Sequence, residues 1–181
     1  MIAVIGFVFI AEARTETPNS FLDIKLGTSL TDFLSKNPNA RELSRVAGEL
    51  VDSNISTRGM DVYVINRTTS SGDNVRIACY FYNNTLAIIA VTYSGWQRRD
   101  DFMDALQNRF GRHTSSRVVS GRDPFANANR TTEIVYWTTN SYVLNFLHTR
   151  EIGSVRLIFA DRAVQRRIEA DRQRNNSRRI E

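Results

Sequence analysis

Cysteine, histidine and lysine are scarce in this 181-residue chain: it has one cysteine, Cys79, and two histidines, His113 and His148. A lone cysteine excludes an intramolecular disulfide and any cysteine-based metal cage. Cys79 lies in the apolar run Ile77-Ala78-Cys79-Tyr80-Phe81, where a buried, inert thiol is expected. His113 and His148 stand 35 residues apart, one after a helix and one at a strand end, so they lack the close spacing of a sequence-local zinc pair. The catalytic and cofactor signatures are missing too: no Gly-x-Gly-x-x-Gly, Walker loop, His-Glu-x-x-His, Cys-x-x-Cys or Gly-x-Ser-x-Gly. No cofactor and no metal are expected.

Apolar residues make up 41% and charged residues 24%. Both values belong to a folded globular chain and argue against wholesale disorder or a coiled coil. The length suits one domain or two small halves packed together.

Charge is one-sided in kind. The 24 basic residues are all arginine except Lys25 and Lys36, against 19 acidic residues, a net +5. Arginine forks onto carboxylates and phosphates and stacks on rings. Such a surface fits an acidic partner, a nucleic acid or an anionic membrane face, unless it reflects a codon bias. Residues 161–181 hold Arg162, Arg166, Arg167, Arg172, Arg174, Arg178 and Arg179 against four acidic residues, which supplies +3 of the total. The basicity therefore belongs to a C-terminal tail, expected to be a polar helix over about 162–173 with Ala163, Ile168 and Ala170 as its small or apolar residues, fraying after about 174.

Residues 2–10 form a nine-residue apolar block followed by Ala11-Glu12-Ala13. Nine residues fall short of the roughly 20 that span a bilayer. They match the core of a secretory signal with a small-x-small cleavage site, although no Lys or Arg precedes the block. Residues 1–13 are read as a signal-peptide-like segment cleaved after Ala13, with a first core strand as the alternative. The expected location is the periplasm or outside the cell. No cysteine follows the block, as a lipoprotein signal would require.

Further along, Thr28 or Ser29 can cap a helix, Asp32 being spaced to support a capping box with Ser29, and the helix is predicted over about 29–37 with Leu30, Phe33 and Leu34 on one face and Pro38 as its stop. Residues 42–52 are mixed, 60–66 have strand character, and 70–74 form a turn cluster. Residues 75–82 and 85–93 form a hairpin around Asn83-Asn84, which tolerates positive φ. A second helix is predicted over about 97–110, with Phe102, Leu106 and Phe110 at i, i+4, i+8 and Gly111 as terminator. Strand character follows at 115–120, a polar loop at 121–130, and strands at about 131–138, 142–148 and 154–160. The order helix-then-meander occurs twice, with Asp32-Phe33-Leu34 matching Asp101-Phe102-Met103 69 residues later. The expected fold class is α+β: two similar helix-then-antiparallel-meander halves, residues 14–93 and 94–161, in one compact unit, with an Arg-rich C-terminal helix or tail over 162–181.

The segment Phe21-x-x-Ile24-x-Leu26-Gly27-x-Ser29-Leu30-x-x-Phe33 resembles the opening of small exported bacterial helix-plus-meander domains. Thr85-Leu86-Ala87-Ile88-Ile89 before a helix, the Phe110-Gly111 helix end and Tyr136-Trp137 extend the likeness over residues 21–160. In tandem form it resembles the β-lactamase-inhibitor-protein-like fold and the outer-membrane-assembly small-lipoprotein domain. The resemblance implies action by binding proteins and not by catalysis.

Trp96, Arg98 and Arg99 sit where a strand gives way to a helix, and exposed Trp and Arg are frequent binding hot spots. Tyr136 and Trp137 are neighbours on a strand, so one is expected in the core and the other exposed. Trp96, Arg98, Arg99 and the exposed member of Tyr136/Trp137 are the candidate partner-binding surface, with a lid over the core as the other reading of Trp96. Asp100, Asp101 and Asp104 suit the positive end of the second helix, while Glu133 and Asp161 read as single carboxylates without a partner. The function expected is a non-enzymatic domain that binds another envelope or secreted protein. Two other readings stay open: a nucleic-acid-binding protein that uses the Arg tail, whose lack of aromatics after Phe159 weakens base stacking, and an enzyme with an unrecognised site.

Overall fold

A computed structural model of the chain describes residues 20–21, 23–43, 59–68, 73–93, 99–123 and 128–177. The signal-like segment 1–13, most of the 42–52 stretch, Trp96, Arg98, Arg178 and Arg179 lie outside the described residues.

Strands β1 (Ser20–Phe21) and β2 (Ile24–Lys25) form a small ribbon ahead of helix α1 (Leu30–Lys36). The Ser29 side chain accepts from the Asp32 backbone N–H at 3.1 Å and its hydroxyl donates to the Asp32 carboxylate at 2.7 Å. The capping interaction read from the sequence is therefore present, and it satisfies an amide the helix leaves unpaired. Phe33 is buried, with Leu30 and Leu34 packed beside it. Strands β3 (Arg41–Glu42), β4 (Asp61–Thr68), β5 (Asn74–Tyr82) and β6 (Thr85–Tyr93) follow. Asn83 and Asn84 have φ of 49° and 61°, the left-handed pair that a two-residue hairpin needs to match strand twist.

Helix α2 (Arg99–Phe110) opens the second half, and Gly111 at φ 78° ends it by donating to the Gln107 carbonyl at 2.8 Å. Strands β7 (Ser115–Asp123), β8 (Ala128–Thr138), β9 (Tyr142–Thr149) and β10 (Ser154–Asp161) form the second meander, and helix α3 (Arg162–Ser177) closes the described chain. The polar loop expected over 121–130 is far shorter. β7 and β8 stay paired as far as Asp123 and Ala128, because backbone pairing between two neighbouring strands does not require apolar side chains on either.

The seven longer strands and the two-residue β3 share one antiparallel sheet in the order β3-β4-β5-β6-β10-β9-β8-β7. The order is a palindrome about the β6–β10 seam, where Ile88 to Tyr93 pair with Ala160 to Val155. The fold class is α+β, with two helix-then-meander halves on one sheet.

One sheet face carries α1 and α2 over a core of Phe33, Phe81, Phe102, Phe146, Trp137 and their aliphatic neighbours. The other face carries α3 over Val62, Tyr80, Ile88 and Ile158. Both faces are covered, so strands β5 and β6 are apolar almost throughout instead of alternating. Burial pushes the Cys79 thiol up to about 12. A maleimide or disulfide reagent is expected to leave Cys79 unmodified in the folded protein at neutral pH and to label it stoichiometrically once the chain unfolds. Rapid labelling under native conditions would contradict this packing.

Candidate functional site

A cluster of polar side chains lies on the face that carries α1 and α2, where α2 starts above strands β7, β8 and β9. A cleft of about 380 Å³ is lined there by Arg99, Val118, Thr131, Glu133, His148 and Arg150. The register builds it. Val118, Glu133 and His148 stand directly across from one another on three adjacent strands. Arg99 is the first residue of α2, and Arg150 opens the single 3₁₀ turn, Arg150–Ile152, that joins β9 to β10.

Arg99 forks onto Glu133, its Nε and Nη2 each 2.5 Å from one carboxylate oxygen, and its Nη1 reaches Asp100 at 2.5 Å. The Arg99 guanidinium holds the Glu133 carboxyl below the usual carboxylate range. His148 is half-buried and its ring stacks on Phe146 with centroids 6.5 Å apart. Desolvation pushes its pKa down, Arg99 and Arg150 push the same way, and Glu133 and Asp100 oppose them. Glu151 is engaged elsewhere: both its oxygens accept from the Thr131 backbone N–H at 2.9 Å, which ties the 3₁₀ turn to β8.

The repeat offers apolar counterparts to this cluster. Matching Asp32-Phe33-Leu34 to Asp101-Phe102-Met103 sets Leu30 against Arg99. Matching the last ladder pair of each inner hairpin, Tyr82 with Thr85 and Thr149 with Ser154, sets Phe81 against His148. Their cross-strand partners are then Asp61 and Glu133. The first half fills the place with leucine and phenylalanine, the second with arginine and histidine. Replacing Arg99 by Leu and His148 by Phe together is therefore expected to keep the fold, at a cost of about 1–2 kcal/mol in urea unfolding, since Glu133 loses its partner. Arg99→Ala alone should cost about 1–2 kcal/mol, because Glu133 keeps its partly buried charge without a partner. A double replacement that fails to fold would make the cluster structural.

The residues expected at the partner surface divide. Arg99 reaches the cleft. Tyr136 and Trp137 are both buried, so the expectation of one exposed member is corrected: Trp137 packs under α2 and donates its Nε1–H to the Gly111 carbonyl at 2.8 Å, while Tyr136 lies on the opposite face beneath the Arg117 guanidinium, 5.7 Å from its ring centre. Alternation gives one exposed residue only where one sheet face meets water.

The tail divides as well. Asp161, read as an isolated carboxylate, caps α3 by accepting from the backbone N–H groups of Ala163 and Val164 at 2.8 and 3.0 Å. Arg162 donates to the Thr139 carbonyl at 2.6 Å, and Arg174 pairs with Asp171 at 2.5 Å, which also accepts from the Tyr82 hydroxyl. Arg166 and Arg167 are exposed on the helix, and Arg172 lies in it. Ala163 and Ala170 face outward, while Val164, Gln165 and Ile168 are the buried residues.

Sequence reasoning missed His148, Arg150 and the Arg99–Glu133 pair, because a cross-strand constellation has no fixed spacing along the chain. Among the described residues no group of three or more His, Cys, Asp or Glu could hold a metal ion, and no helix is long and apolar enough to cross a membrane.

A second feature borders the cleft. Among the described residues, strand β7 is one edge of the sheet. Its Val118 is 67% exposed on the cleft face and its Val119 is 44% exposed on the other.

No family model, curated protein or solved structure matches the chain.

Proposed function

We propose that the protein is an exported, non-enzymatic domain that binds another envelope or secreted protein, and that it receives an extended segment of that partner along β7. The observation that carries this reading is the β7 edge. It is nine residues long, lacks proline, presents valines to solvent on both faces and carries its charges, Arg117, Arg122 and Asp123, on either side of them along the chain. Long edges of this kind are usually shortened, charged or covered, since they offer unpaired backbone groups to any passing strand. Where one is left open, strand addition is a recurring mode of protein recognition, with the backbone giving affinity and alternate side chains giving selectivity.

The signal-like start and the likeness to protein-binding exported domains support the same reading. The nucleic-acid reading loses ground, because Arg162 and Arg174 are engaged within the domain and α3 serves as a core element.

The reading is tested by tagged full-length protein in its native cells. The mature chain is expected in the exported fraction, beginning at Arg14 by mass spectrometry, and it should co-purify with a defined partner. Val118→Lys with Val119→Lys should abolish the co-purification while leaving the unfolding midpoint nearly unchanged, since both sites are exposed. An uncleaved cytoplasmic species, or a partner retained undiminished by the double variant, would overturn it.

A further inference from the structure

We propose that the cleft between the start of α2 and strands β7–β9 binds a carboxylate carried on a small apolar body, with Arg150 and His148 as its donors. The inference goes beyond strand addition at β7, with which it shares Val118, because it concerns what the cleft's own polar groups can accept.

The hydrogen-bond inventory leads there. Glu133 is occupied by Arg99, and Glu151 is occupied by the Thr131 amide. Arg99 is spent on Glu133 and Asp100. The groups that remain to meet a ligand are led by the guanidinium of Arg150, a donor that no side chain of the described residues bonds, and the imidazole of His148, which donates from one nitrogen when neutral and from both when protonated. A site left with donors takes an acceptor, and the planar fork of arginine matches a carboxylate. Val118 contributes the apolar wall on which the body of the ligand would rest.

The same inventory disfavours a phosphate. Glu133, Asp100 and Glu151 already place negative charge at or beside the cleft. A dianion meets more repulsion there than a monocarboxylate does. The replacement of Leu30 and Phe81 of the first half by Arg99 and His148 in the second gives the polar cluster a reason beyond folding.

His148 makes the site responsive to pH. Around it stand Glu133 on β8, Arg99 and Asp100 on α2, and Arg150 on the 3₁₀ turn. In the free protein desolvation disfavours the imidazolium. A bound carboxylate favours the imidazolium, so binding takes up a proton and tightens as pH falls toward the carboxylate's own pKa.

Two sources can supply such a group, a free branched short-chain acid or the C-terminus of a peptide. The full-length protein is titrated with 3-methylbutanoate, with N-acetyl-glycyl-valine and with the amide of that peptide, followed by ¹H–¹⁵N shifts of Thr131, Arg150 and the His148 ring. Millimolar or tighter binding is expected for the two carboxylates, tightening at least threefold between about pH 8 and about pH 6, with none for the amide. Arg150→Gln should weaken it at least tenfold, and His148→Gln should remove the pH dependence, while Arg166→Gln on α3 changes neither. Tighter binding of the peptide than of the free acid assigns the site to chain ends; the reverse assigns it to small acids. Equal binding of the amide, tighter binding of inorganic phosphate, or no shift at about 50 mM carboxylate at about pH 6 would overturn the proposal.

Discussion

Phe102→Ala lowers the unfolding free energy by about 3–5 kcal/mol, and it does so for both halves of the molecule at once. Phe102 is fully buried beneath α2. Its ring meets Tyr93 of β6 at 5.1 Å, edge to face, and Phe146 of β9 at 6.1 Å. Tyr93 belongs to the first meander and Phe146 to the second, so the side chain lies across the seam of the palindromic sheet. Truncation removes the transfer free energy of the ring and leaves a cavity that two strands and a helix cannot close together. Urea unfolding followed by tryptophan fluorescence and by far-ultraviolet circular dichroism should move to a lower midpoint with the two probes still coincident. Two separated transitions would mean that the halves are independent folding units joined by a weak β6–β10 contact.

Ile168→Asp has an effect of the same order, about 3–5 kcal/mol, and it tests what α3 is for. From sequence the segment is an arginine-rich tail. In the structure Val164 and Ile168 lie one turn apart and join Val62, Tyr80, Ile88, Ile158 and Ala160 in the second core cluster. Asp161 caps the start of the helix, and the Tyr82 hydroxyl donates to Asp171 near its far end. An aspartate at 168 would have to bury a carboxylate among aliphatic groups or lift the helix and expose that face. Arg166→Gln with Arg167→Gln, on the exposed side, should stay within about 0.5 kcal/mol of the parent. Removing the whole segment to test a nucleic-acid role would therefore unfold the protein, and charge replacements at 166 and 167 are the informative variants. A stable, soluble Ile168→Asp protein would return α3 to the status of a solvated tail.

The fold was legible in the sequence where local chemistry decides structure. Asn83-Asn84 between two β-branched runs specifies a tight hairpin, Ser29 with Asp32 specifies a helix start, and Gly111 a helix end. The repeated order of elements carried the division into two meanders. Tertiary context decided the rest. Tyr136 and Trp137 are both buried because Trp137 lies under α2 and Tyr136, on the other face, lies beneath the Arg117 side chain. Asp161 gained a role only when a helix began directly after it. The pairing of β7 with β8 through a polar stretch rests on backbone bonds that side-chain type does not report. The cleft is the clearest case. Arg99, Glu133, His148 and Arg150 meet only through the register of β8 with β9 and the placement of α2 above them, and no spacing along the chain encodes that.

The central claim, that an extended partner segment is received along β7, is met most directly by site-specific photo-crosslinking in the native cells. A photoreactive side chain is placed in turn at Ser116, Val119 and Ser120 on β7, and at Gln107 on α2 and Arg166 on α3 for comparison. All five positions are exposed in the isolated chain. The account predicts one discrete adduct in the exported fraction, formed from the β7 positions and not from Gln107 or Arg166, with the crosslinked partner peptide in extended register along the strand. Adducts of equal strength from all five positions, or none from β7, would contradict it.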